Sequence, residues 1–182
     1  RYSTSCYIDA THHAMAAMLA KRDRRPVDFF TEVDRVFMHR PYHQMPTTGW
    51  VMAYLFALAA DSEGRDQLRD YCEESGIDAD ALLRELDTAT PFDESIVSGE
   101  SDGDVFPLSR KLRQHLRGLE LWQCLVVDKL SLGSDAMRDL GNLYSAALPA
   151  WIASGLRHAA DDGLEIAGQS WLALGYGSGD AA

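Results

Sequence analysis

The stretch that decides the fold is Gly49–Ala60, GWVMAYLFALAA, the apolar part of the uncharged run Gln44–Ala60. Its twelve residues are too few to cross a bilayer, which takes roughly 20. A helix that is apolar on every side belongs at the centre of a helical bundle. Its neighbours in sequence are punctuated like helices. On the N-terminal side, a helix is expected from about Asp9 to Asp23, with Asp9 as N-cap and Ile8, Met15, Met18 and Leu19 on one face. A second should open at Pro26 and run to about Arg40, with the stripe Phe30, Val33 and Phe37, and stop at Pro41. Thr47 or Thr48 would cap the central helix.

On the C-terminal side, Gly64 and Gly76 bracket a short helix around Leu68 and Tyr71, and Asp78 caps another over Ala79–Asp87. Leu112, Leu116, Leu119, Trp122, Val126 and Leu130 then form one stripe on a long helix, about Leu108 to Leu132, ended by Gly133. Ser134 caps a helix on which Met137, Leu140, Tyr144, Leu148 and Trp151 line up, with Pro149 kinking or dividing it. A final helix is expected over Leu164–Leu174. No segment alternates apolar and polar residues long enough to read as a strand. The expected architecture is therefore all-α: a bundle of seven or eight helices forming a single domain, 1–182.

One stretch breaks the helical pattern. Thr88–Pro107 has no apolar period and carries Asp93, Glu94, Glu100, Asp102 and Asp104, with Asp87 just before it. A long acidic loop of this kind reads as a mobile segment or a lid, and is the place where two subdomains could divide. The tail Gly175–Ala182, with three glycines, reads as mobile.

The charge excludes some functions. With 17 Lys and Arg against 28 Asp and Glu, the formal net charge is −11. Such a surface repels a nucleic-acid backbone and an anionic membrane. Cys6, Cys72 and Cys124 are odd in number and form no C-x-x-C, so neither a disulfide framework nor a zinc knuckle is written here. Reduced thiols point to the cytoplasm. The bias of Arg over Lys, 14 to 3, suits a GC-rich bacterial genome.

Imidazoles are the first candidates for chemistry. His12, His13, His39 and His43 fall in the first quarter of the chain. If the first two helices form a hairpin, Asp9, His12 and His43 gather at one end as a candidate metal site, with Asp9 one helical turn before His12. The wheel turns His12 inward and His39 outward. His115 lies within the apolar stripe of the long helix and could serve as a buried acid or base. No H-E-x-x-H, nucleophile elbow or phosphate loop is present, and Asp102-Gly103-Asp104 fails the calcium-loop spacing. Cys124 reads as a plain packed thiol.

Aromatic side chains suggest a different function. Trp50, Trp122, Tyr144 and Trp151 crowd the helices expected at the core, where an apolar ligand could lie between them, next to His12 or His115. Trp122 and Phe56 are expected to be buried. The leading expectation is a non-catalytic accessory or regulatory protein without a cofactor, binding a hydrophobic small molecule or a protein partner, with a homo-oligomer left open. The alternative is a metal-dependent or histidine-based enzyme. A nucleic-acid mimic ranks last, because the carboxylates are spread over many helices.

Overall fold

The computed structural model describes residues 2–89, 98, 104–140 and 143–176. Most of the acidic stretch within Thr88–Pro107, and the tail after Tyr176, lie outside the described residues. Among the described residues the fold is all-α apart from one small sheet.

Helix α1 spans Tyr2–Leu19, starting seven residues earlier than Asp9. Asp9 is therefore mid-helix and caps nothing. Ile8, Met15 and Leu19 are buried on the expected face. A 3-10 turn, Pro26–Asp28, leads into the short α2, Phe29–Glu32. The expected second helix ends there. Residues Arg35–Met38 form strand β1 instead, parallel to β2, Trp171–Leu174, where the last helix was expected. Register pairs Arg35 with Trp171 and Met38 with Leu174. Val36, Phe37 and Met38 are all buried in succession, because both faces of this strand are covered. A strand covered on both sides shows no alternation, and the side-chain spacing of Phe30, Val33 and Phe37 imitated a helix.

The central helix α3, Met45–Ala59, carries Pro46 in its first turn, and twelve of its residues are buried. Thr48 does not cap it; its hydroxyl donates back to Gln44 O at 3.0 Å. Asp61 caps α4, Ser62–Ser75, accepting from Gly64 N at 2.8 Å. Gly64 is required there, since a Cβ would lie 2.3 Å from Leu58 O. Gly76 ends α4 in the left-handed region at φ 66°. Asp78 caps α5, Ala79–Thr88, accepting from Ala81 N at 2.9 Å.

The expected long helix is two pieces. Helix α6 spans Pro107–Leu116. Its first turn is capped from another helix: Glu85 of α5 accepts from Leu108 N and Ser109 N, both at 2.8 Å. The chain turns through Gly118 and becomes helical again over 121–130, with a π-helix, Gln123–Val127, followed by α7, Asp128–Leu130. Trp122 is only half-buried, its ring beneath the Arg117 guanidinium at 5.3 Å, and Phe56 is half-buried too.

Beyond Gly133 the expected single stripe also breaks. Helix α8 is Ala136–Leu140, a 3-10 turn covers Tyr144–Ala146, and α9 runs Ala147–Asp161. Pro149 lies in the first turn of α9 and kinks nothing. Leu140 and Tyr144 point to solvent at 51% and 74% exposure, so only Met137 and Trp151 of that stripe are fully buried. The buried apolar side chains form one cluster around α3, with α1, α2, β1, α4, α6 and α9 contributing.

Candidate functional site

The sequence-expected residues separate into three groups. Trp50 and Trp151 are structural: both are buried, with Trp50 donating to Leu125 O at 2.7 Å and Trp151 to Leu132 O at 2.9 Å. Trp122 and Tyr144 lie at the surface or half-way to it. His115 is half-buried on α6 with its Nε2 3.3 Å from Glu74 Oε2, so it faces a neighbouring helix's carboxylate and is not a core imidazole.

The expected metal trio is not assembled. Because α1 begins at Tyr2, its first turns are what meet the chain near residue 40: Thr4 bonds Tyr42 at 3.0 Å, and the Tyr7 hydroxyl donates to His39 O at 2.8 Å. His12 lies farther along the helix. Asp9 pairs with His13 at 3.5 Å, not with His12. His43 accepts at Nδ1 from the Arg40 guanidinium, and that cation and Arg138 disfavour a metal ion beside it. His39 is half-buried, its ring 5.9 Å from that of Tyr176, contrary to its expected outward placement. Among the described residues no three His, Cys, Asp or Glu side chains come close enough to hold a metal. Cys124, expected to pack, is exposed.

What the fold does build is a surface trough along α1 and α3. His12 on α1 stacks against Phe56 on α3, ring centroids 3.9 Å apart and tilted by 31°. The two helices are neighbours along most of their length, which places the rings side by side across their contact. Phe106 also meets Phe56, in an edge-to-face arrangement at 6.0 Å. On one side of the stack lies an apolar cleft of about 250 Å³, floored by Met15, Leu19, Ala53 and Ala57. Arg22 and Arg24 stand at its far end, both held by Glu32. On the other side lies a wider cleft of about 480 Å³, where Leu83 and Leu86 meet Arg65, Arg84 and Asp87. His12, Phe56 and Ala60 line both clefts, so they form one trough divided by the stack.

Burial, then the neighbouring His13, pulls the His12 pKa below the usual histidine value, outweighing Asp9. Its ring is therefore neutral at pH 7 and presents an uncharged aromatic face. The sequence marked His12 as inward, correctly, but not its partner. Phe56 read as core because α3 is apolar all round, and only the packing of α1 leaves one ring of that helix half-open.

A second, smaller cavity of about 120 Å³ lies between α1, α3 and the start of α6. Ile8, Met52 and Phe106 form one wall; Thr4, Ser5, Thr48, Asp104, Arg110 and Arg113 form the rest. No signal in the sequence singles it out: of its hydroxyls only Thr48 reads as a candidate cap, and no spacing joins it to Arg110 or Arg113. No protein-family model, curated protein or solved structure matches this chain. Among the described residues, no helix is long and apolar enough to cross a membrane.

Proposed function

We propose that this protein is a non-catalytic binding protein for a hydrophobic small molecule, held in the trough beside the His12–Phe56 stack. The observation that carries this is the half-open Phe56 ring, paired with a neutral imidazole, at the junction of two clefts with largely apolar floors. An apolar body would lie over Met15, Leu19 and Ala57 and displace water from them, which stabilises binding by about 25 cal/mol per Å² covered. A polar end would reach Arg65, Arg84 or Asp87 in the wider cleft. The net charge of −11 supports a ligand other than nucleic acid, and three free thiols support a cytoplasmic setting.

Titration with the neutral fluorescent probe N-phenyl-1-naphthylamine tests the reading. Saturable binding at one probe per chain is expected. Ala16→Trp, which fills the apolar cleft from an exposed position on α1, should weaken it at least tenfold. No saturable binding, or unchanged binding in Ala16→Trp, overturns the reading. The neutral His12 ring also suits a second reading, an enzyme with His12 as general base. His12→Gln separates the two: a binding protein keeps most of its probe affinity, whereas an enzyme loses turnover.

A further inference from the structure

The small cavity beside α6 is separate from the trough, and its chemistry is different. Arg113 is half-buried there, and its guanidinium donates to Thr48 Oγ1. The Thr48 hydroxyl proton is already given to Gln44 O, so Thr48 serves Arg113 as an acceptor. That uses one of five N–H donors. The neighbouring arginines on α6 are otherwise engaged: Arg110 pairs with Asp104 at 2.7 Å, and Arg117 donates to Gln44 Oε1 at 3.2 Å. Asp104, which is ion-paired with Arg110, is also the carboxylate that acts on Arg113, so the two arginines share one acidic group. A guanidinium withdrawn from water with only a shared counter-charge is costly. Burial, then Arg117, accordingly pulls its pKa down.

The rest of the cavity complements an anion that carries an apolar group. Its hydroxyls are already engaged, Thr48 with Gln44 O and Arg113 and Thr4 with Tyr42, so the charge of such an anion falls to Arg113. Ile8, Met52 and Phe106 supply the apolar wall. Among the described residues Asp104 is the one lining carboxylate; it is ion-paired with Arg110, so Arg110 and Arg113 together leave the cavity with an excess of positive charge. The volume is that of about four waters at roughly 30 Å³ each, enough for a small organic acid and too little for a drug-sized ligand.

We propose that the cavity between α1, α3 and α6 is a binding site for a short-chain monocarboxylate. The carboxylate takes the open fork of Arg113, and the alkyl tail packs on Ile8, Met52 and Phe106. Arginine suits this because its planar fork meets both oxygens of a carboxylate.

The test is titration of the full chain with isovalerate, followed by two-dimensional amide NMR. Saturable shifts at α1, α3 and α6 are expected, together with no saturable binding of the uncharged isovaleramide. Arg113→Gln should weaken isovalerate at least tenfold. Thr4→Phe, which narrows the cavity from a half-buried position and leaves Arg113 intact, should weaken it similarly, so the test survives if Arg113→Gln does not fold. Ala16→Trp, in the trough, should leave isovalerate binding unchanged. Equal binding of the amide, or wild-type affinity in Thr4→Phe or in folded Arg113→Gln, overturns the site. Inorganic phosphate binding more tightly than isovalerate overturns the assignment to a carboxylate.

Discussion

Trp50 and Trp151 are both completely buried, and each donates its indole N–H to a backbone carbonyl in the stretch 125–132. Their surroundings differ. Trp50 sits among apolar rings, with Phe30 at 4.5 Å and Phe29 at 6.5 Å. Trp151 meets Phe37 at 5.7 Å, but its ring also lies under the Arg40 guanidinium at 5.1 Å. Arg40 is itself buried at 5% exposure and donates to Ser134 O, Ser134 Oγ and His43. The two indoles thus pin the irregular segment between α6 and α8 at two points, Leu125 and Leu132, one through apolar packing and one through a polar lattice. A segment whose own hydrogen bonding is π-helical needs such outside anchors. The clefts beside the His12–Phe56 stack lie where α1 packs on α3, the helix that carries Trp50.

Replacing the apolar anchor should have the largest effect. Trp50→Ala is expected to cost about 3–5 kcal/mol in urea denaturation, because the ring is fully enclosed and its loss also strands Leu125 O. A cost below about 1 kcal/mol would mean that the segment 123–130 is held by other contacts.

On the Trp151 side the sharpest probe is Gly133. Its φ is +68°, and a Cβ would lie 2.3 Å from Gly155 N on α9. Gly133→Ala is expected to cost roughly 2–4 kcal/mol from left-handed strain together with the clash. Gly163, at φ +63° with nothing within 4 Å, is the control. Gly163→Ala should cost only about 1–2 kcal/mol. Equal costs at the two sites would remove the close approach of α9 to the end of the segment.

Trp122 tests whether the segment has an inward aromatic of its own. Half-buried under Arg117, it should lose only about 1–2 kcal/mol on Trp122→Ala. A loss as large as that of Trp50→Ala would restore the continuous stripe that the sequence suggests.

The smallest effect separates the sides by pH. Burial, assisted by His13 at His12 and by Arg40 and Arg138 at His43, lowers the pKa of His12, His39 and His43 in the folded protein. Above the unfolded value of about 6.5 these rings are neutral in both states and add no pH dependence. As pH falls below about 6.5 the unfolded chain takes up protons that the folded chain refuses, so stability drops. The drop stops once pH passes below the lowered folded values. His12→Phe should flatten part of this slope in denaturation series between about pH 6.5 and 5. An unchanged slope would place the effect on the His39–His43 side.

Local chemistry was legible where a single residue type decides local geometry. Asp78 and Gly76 bracket their helices as expected, since a carboxylate accepting from a backbone N–H and a left-handed glycine act within a few residues. The apolar run of α3 declared its central place, because nothing else could cover it. His12 was legible as inward, but its Phe56 partner was not, because that contact belongs to the packing of α1 on α3 and to no sequence spacing.

Only the tertiary structure decided the sheet and the breaks. Arg35–Met38 becomes a strand because Trp171–Leu174, 136 residues later, arrives beside it in parallel register. Four residues buried almost throughout carry no alternation, and no local signal names a distant partner. The stripe through Trp122 assumes one continuous helix and that through Tyr144 a helix interrupted only at Pro149, but Gly118 and the π-helix after Trp122 rotate the one, and the non-helical Leu143 before Tyr144 the other. The Arg113 cavity needs α1, α3 and α6 together. Helix caps are settled within one turn of chain, whereas strand partners and cavities depend on which distant surfaces exclude water from one another.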